Sequence, residues 1–377
     1  MSRIQGNIPG GGLVEVEIAA GRIAAGRALG PADPDKTFVG PGLVDIQING
    51  FAGVDFSAPD LEPEQAVSVL PALFATGVTT FYPTLITNTH DGILRNLHVL
   101  EEARRLDKRF ARAVPGYHLE GPYLSPGPSH GAHDPGLMRV PDWEEFVEFQ
   151  RAAESRIRVL TLAPELPGAL DFIRRARQAG VLVALGHTDG TAEDIRAAAE
   201  AGATLSVHLG NGCPQLIDRH RAPFWVQLAD DRLAASIICD SFHLPPELLQ
   251  VMVRVKGIER LVLITDAIHV AGMPAGSYSL VGVPIELMPD GLVLRADRTS
   301  MAGSSVAMNR AVSVFIEYGR VSLAEALSAA TRNPARLLRE EEICSELAAG
   351  QPANLILFRS QPGRLEILST ILAGEAV

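Results

Sequence analysis

The sequence predicts a parallel (β/α)8 TIM-type barrel with a small β-rich unit assembled from both chain ends. Three observations predict it: eight short apolar runs in the middle of the chain, amphipathic stretches between them, and period-two segments confined to the ends.

The N-terminal segment Leu13–Ile18 alternates apolar and acidic residues, and Gly21-Arg22-Ile23 follows a turn at Ala19-Ala20, which reads as an antiparallel hairpin. The apolar runs come next: Leu43–Ile46, Gly77–Phe81, Ala113–Leu119, Ile157–Leu162, Val181–Leu185, Ala203–Val207, Leu233–Ile238 and Leu261–Ile264. Helical stretches lie between them at Pro63–Ala75, Trp143–Ala153, Ala169–Ala179, Ala192–Ala201 and Pro245–Val255. Strands buried on both faces read as continuous apolar runs, and eight of them close a barrel of roughly 300 residues. A doubly wound open sheet is the competing architecture, but no G-x-G-x-x-G follows any run. At the C-terminus a turn at Gly350–Ala353 precedes strands at Asn354–Phe358 and Leu365–Leu368. The expected division is 1–40 with 345–377 as the small domain and 41–344 as the barrel.

Composition narrows the function. The chain has 377 residues, 47% apolar and 20% charged, so a large core is expected and wholesale disorder is excluded. Its 33 basic and 44 acidic residues give a net charge of -11, which disfavours binding to nucleic acid. Cys213, Cys239 and Cys344 are too few and too scattered for a disulfide framework. Neither a signal peptide nor a membrane span is apparent, and a soluble cytoplasmic protein is expected.

Barrel enzymes carry their chemistry at the C-terminal ends of the strands. There this sequence places Gln47 and Asn49, Glu120, Glu165, His187, His208, His243 and Asp266. Taken singly, each has an ordinary reading. Glu120 before Gly121-Pro122 suits a turn, His187 can precede a helix capped by Thr188 or Asp189, and His208 suits a satisfied core. Asp266 reads alone as a helix cap. Taken together, one carboxylate and two imidazoles at strand ends form the three-ligand set of a catalytic zinc site. Asp266 then reads as a general base beside it, and His133, in a Gly- and Pro-rich loop, as a donor to a carbonyl oxygen.

Several strings in the chain resemble the N-acetylglucosamine-6-phosphate deacetylase family of the amidohydrolase superfamily. They are His118–Leu124, Gly131-Ala132-His133, Gly186-His187-Thr188, His208-Leu209, Thr265-Asp266-Ala267, Met301–Ser304 and Pro41–Gly50, with Thr331–Pro334 and Gly350–Ile356 near the C-terminus. The resemblance implies the barrel and a small β-sandwich formed by both chain ends. It implies one divalent metal, commonly zinc, on Glu120, His187 and His208, with Asp266 as general base and acid and His133 on the acetamide carbonyl. Water activated by the metal would split the amide of N-acetylglucosamine 6-phosphate, giving acetate and glucosamine 6-phosphate.

The resemblance also implies substrate contacts at Ala132, Asn211, Gly212, Arg219, His243, Met301, Ala302 and Gly303, and a homodimer. Three segments depart from the family pattern: Gly210–Pro214, Arg219–Pro223, and Cys239–Phe242 before His243. Gln47 and Asn49 stand where two-metal amidohydrolases carry His-x-His, so a single metal is expected. The rival readings are an amidohydrolase acting on another N-acetyl sugar or a cyclic amide, and a non-catalytic barrel scaffold. No lysine lies between Lys108 and Lys256 to bridge two metals, and the intact ligand set with Asp266 argues against a scaffold.

Overall fold

A computed structural model describes residues 2–280, 282–298, 300–340, 343 and 346–377. Cys344 lies outside the described residues. Eight parallel strands form one sheet in chain order. We number them β1 (Leu43–Ile48), β2 (Val78–Ile86), β3 (Tyr117–Glu120), β4 (Ile157–Leu162), β5 (Leu182–Leu185), β6 (Leu205–Ser206), β7 (Ala234–Ile238) and β8 (Leu261–Ile264). The sheet closes where the chain leaving β8 meets β1. Asp266 N donates to the Gln47 carbonyl at 2.9 Å, Asn49 N donates to Ala267 at 2.8 Å, and Asp45 accepts from the Thr265 hydroxyl.

Alternation along each strand divides the apolar residues into two layers. Val44, Ile46, Tyr82, Val159, Ala184, Val207, Ile238, Val262 and Ile264 meet in the barrel interior. Their neighbours Leu43, Phe81, Leu160, Val183, Leu185, Ile237, Leu261 and Leu263 join the layer under the surrounding helices. The interior also holds His118, whose Nδ1 is 3.0 Å from the Ile46 carbonyl and whose Nε2 is 2.7 Å from Thr161 Oγ1. Burial pushes this imidazole down to about 4, so it is a neutral packing group one layer below the mouth.

Two of the helices start at side-chain caps that the sequence supplies. Asp142 accepts from Glu145 N ahead of Trp143–Ala152, and Thr191 with Asp194 forms a capping box on Ala192–Ala201. Pro63–Ala75 divides at Val69 into Pro63–Ser68 and Leu70–Ala75.

The two ends interleave in a seven-stranded sheet. Ser2–Asn7, Leu13–Ala19 and Arg22–Gly30 from the N-terminus lie on one side of Phe38–Pro41, and Leu355–Gln361, Arg364–Leu372 and Glu375–Ala376 on the other. One cluster, Val16, Ile18, Ile23, Ala353, Leu355 and Ile371, draws on both ends. This matches the small sandwich expected of the termini. A second antiparallel sheet was not foreseen: Gly276–Leu280, Val283–Leu287 and Val293–Arg295 follow β8 and pack beside the barrel mouth. Among the described residues no helix is long and apolar enough to cross a membrane.

Candidate active site

Glu120 is the last residue of β3; His187 and His208 each lie two residues past the ends of β5 and β6, and Asp266 two past β8. The last three hold left-handed backbone, with φ of 49°, 31° and 49°. Such a conformation costs a non-glycine residue about 1–3 kcal/mol, and here three of them crowd one barrel mouth. Gly186 lets β5 and β6 approach: a Cβ there would lie 2.1 Å from Val207 Cγ1. Gly186→Ala is therefore expected to lose about 1–3 kcal/mol of stability in urea denaturation. An unchanged midpoint would show that the strand end gives way freely.

The three groups converge. His208 Nε2 is 3.0 Å from Glu120 Oε1 and 3.1 Å from His187 Nε2, and His187 Nε2 is 3.3 Å from the same carboxylate oxygen. A tetrahedral zinc with bonds of about 2.0–2.1 Å holds its donors about 3.3 Å apart. The geometry fits one small divalent cation. His187 donates Nδ1–H to the Ser129 carbonyl at 2.9 Å, which leaves its Nε2 lone pair for a metal. Burial opposes ionisation of Glu120, but the His187 and His208 side chains beside it hold its carboxyl well below the usual range.

Asp266 stands outside this cluster. Its Oδ1 accepts from Asn49 Nδ2 at 2.8 Å and Gln47 Nε2 at 3.2 Å, and Oδ2 accepts nothing among the described residues. Burial, and after it the charge of Glu120, raises its carboxyl above the ordinary value. Gln47 Nε2 also donates to Glu120 Oε1 at 2.8 Å. Gln47 thus bridges the two acids with its N–H donors, and Asn49 adds a further donor to Asp266.

His133 faces the cluster, with Nε2 3.9 Å from Glu120 Oε2. Burial, then neighbouring His187, pushes its imidazole down to about 3. In the neutral ring Nδ1 takes the Thr87 backbone N–H at 3.4 Å and lies 2.9 Å from Thr87 Oγ1. A backbone N–H only donates, so the ring proton sits on Nε2, toward the cavity. Thr87 was missed from sequence.

A cavity of about 750 Å³ joins these groups. Of the expected substrate contacts, Ala132, Asn211, Gly212, His243, Met301 and Gly303 line it. Asn211 Nδ2 is buried and has no partner among the described residues, a donor left for a ligand. His243 donates Nδ1–H to Asp240 at 2.6 Å. Two of the expected contacts do not line the cavity. Ala302 is buried beside the wall, its N–H spent on the Val293 carbonyl. Arg219 is exposed and does not line the cavity, although Gln215 and Ile217 of the same loop do; His220 and Arg221 line an adjoining groove. Arg295, from the unforeseen sheet, is the one arginine or lysine among the described residues lining the cavity.

Barrel, donor cluster and neighbouring acid define a hydrolase of the kind that works with a bound metal. The chain belongs to the amidohydrolase family, whose sequence pattern matches residues 38–377. It is 33% identical over 355 residues to an N-acetylgalactosamine-6-phosphate deacetylase of Escherichia coli O157:H7, covering 92% of this chain and 90% of that one. A human N-acetylglucosamine-6-phosphate deacetylase is 32% identical over 351 residues, with 89% and 82% covered. Among solved structures, the Mycobacterium smegmatis N-acetyl-D-glucosamine-6-phosphate deacetylase superposes with a TM-score of 0.89 at 33% identity, covering all of both chains.

Proposed function

We propose that this chain removes the acetyl group from an N-acetylhexosamine 6-phosphate, N-acetylglucosamine 6-phosphate foremost, releasing acetate and the amino sugar. The observation that carries the reading is the Glu120, His187, His208 cluster with Asp266 beside it and outside it. Relatives named for both the gluco and galacto substrates support the class of sugar.

A divalent cation, zinc in our reading, held by those three residues would acidify a water and polarise an acyl oxygen. The protein supplies the rest. Asn49 and Gln47 fix one oxygen of Asp266, and its free Oδ2 takes the proton as water attacks the amide carbon. His133 Nε2–H donates to the carbonyl oxygen as charge develops there. Asp266 then returns the proton to the sugar nitrogen, which leaves as a neutral amine. Acetate departs. The β-rich ends form their own domain beside this barrel, and we place the enzyme in the cytoplasm as a homodimer.

In this reading His243, Asn211 Nδ2 and Arg295 receive the 6-phosphate, Arg295 taking the place expected of Arg219. The test is acetate release from N-acetylglucosamine and N-acetylgalactosamine, each with and without 6-phosphate. The phosphorylated sugars should turn over with the higher kcat/KM, and the larger of the two values names the epimer. Arg295→Ala should raise KM for the phosphorylated sugar by about 10–100-fold, the worth of a charged hydrogen bond. Equal turnover with and without phosphate would end the phosphate assignment. A KM rise in Arg219→Ala instead would return the contact to the exposed loop.

A further inference from the structure

The carboxylate of Asp189 ties together pieces of chain that no strand joins. Ser125 Oγ donates to Asp189 Oδ2 at 2.7 Å. Ser129 Oγ lies 2.6 Å from Asp189 Oδ1 and 2.9 Å from the Thr188 carbonyl. A hydroxyl has one proton to give, and a carboxylate is the stronger acceptor, so the bond to Asp189 takes it. The carbonyl of the same Ser129 receives Nδ1–H of His187, and Ser125 N donates to the His187 carbonyl at 3.0 Å.

Glu165, just past β4, grips the turn from the other side. Its two oxygens accept from Asp189 N at 2.8 Å and Thr188 Oγ1 at 2.6 Å. The loop lies close enough to need glycine at two points. A Cβ on Gly127 would lie 2.3 Å from Asp189 Oδ2, and one on Gly131 would lie 3.0 Å from His187 Cε1. Asp189 caps no helix, because Thr191 fills that position.

We propose that Asp189 is a positioning residue, a latch that holds the 125–133 loop against the turn after β5. Through Ser129 it fixes the ring plane and tautomer of His187, and through the loop it sets His133. The proposal rests on His187 being a metal ligand. A carboxylate that acts through a carbonyl to orient an imidazole changes metal affinity before it changes the fold.

The experiment is zinc affinity by competition with a chromophoric chelator, on the full chain, with kcat at saturating zinc measured beside it. Asp189→Ala should bind zinc about 10–100-fold more weakly, while the metal-free protein still unfolds cooperatively. Asp189→Asn, which keeps one acceptor oxygen, should fall between it and wild type. Ser129→Ala removes the hydroxyl but keeps the carbonyl, and should weaken zinc by about tenfold. If Asp189→Ala does not fold, Ser129→Ala decides the question alone. Zinc affinity within twofold of wild type in the folded variants would overturn the latch. Wild-type protein that binds no zinc would instead overturn the ligand assignment beneath it, and the latch with it.

Discussion

Asp266→Asn is expected to retain its metal and lose at least ~100-fold in turnover, the low end of what general acid–base catalysis supplies. The substitution is nearly isosteric. An asparagine oxygen can still accept from Asn49 and Gln47, so the mouth of the barrel should keep its shape. What it loses is the capacity to take a proton at the second oxygen and return it to the sugar nitrogen. Burial and the Glu120 charge hold this carboxyl above its ordinary value, which makes it a stronger base than a surface aspartate. Because no ligand atom is touched, metal content measured by elemental analysis should match wild type. Acetate release close to the wild-type rate would remove Asp266 from the proton transfers.

The fold was legible where burial on both faces left an unbroken apolar signature. Ile157–Leu162 and Leu261–Ile264 begin and end where the sequence reading placed them. Polar residues that enter a strand hide where it ends. β2 runs to Ile86 through Tyr82-Pro83-Thr84, a stretch that ended the apolar run at Phe81. That shortfall hid Thr87, which lies at the true strand end and sets the tautomer of His133. The sheet over residues 276–295 escaped because its short strands are half exposed and mix polar with apolar residues. With it went Arg295.

The cluster that could hold a metal was legible for a different reason. Glu120, His187, His208 and Asp266 each follow an apolar run, so correct strand ends deliver them to one place. Asp189 illustrates the limit. Its residue type and position before a helix suggest a cap, and only the folded loop shows that its partners are Ser125 and Ser129, about 60 residues back along the chain.

His187→Ala should strip the protein of its metal. The imidazole supplies one of three donors whose separations of 3.0, 3.1 and 3.3 Å match a single small cation, and no other ligand-type residue completes such a cluster among the described residues. Two donors remain, Glu120 and His208, and water from the open cavity is a weaker replacement for an imidazole held by the Ser129 carbonyl. The loss should exceed the ~10–100-fold that removal of an outer partner costs. Turnover should fall with occupancy and return only partly at high zinc. A second readout is independent of activity. A bound metal stabilises the folded state by mass action, so a chelator should lower the melting temperature of wild type and leave that of His187→Ala unchanged. Full occupancy in the variant, or equal chelator sensitivity of the two proteins, would show that the cation sits elsewhere.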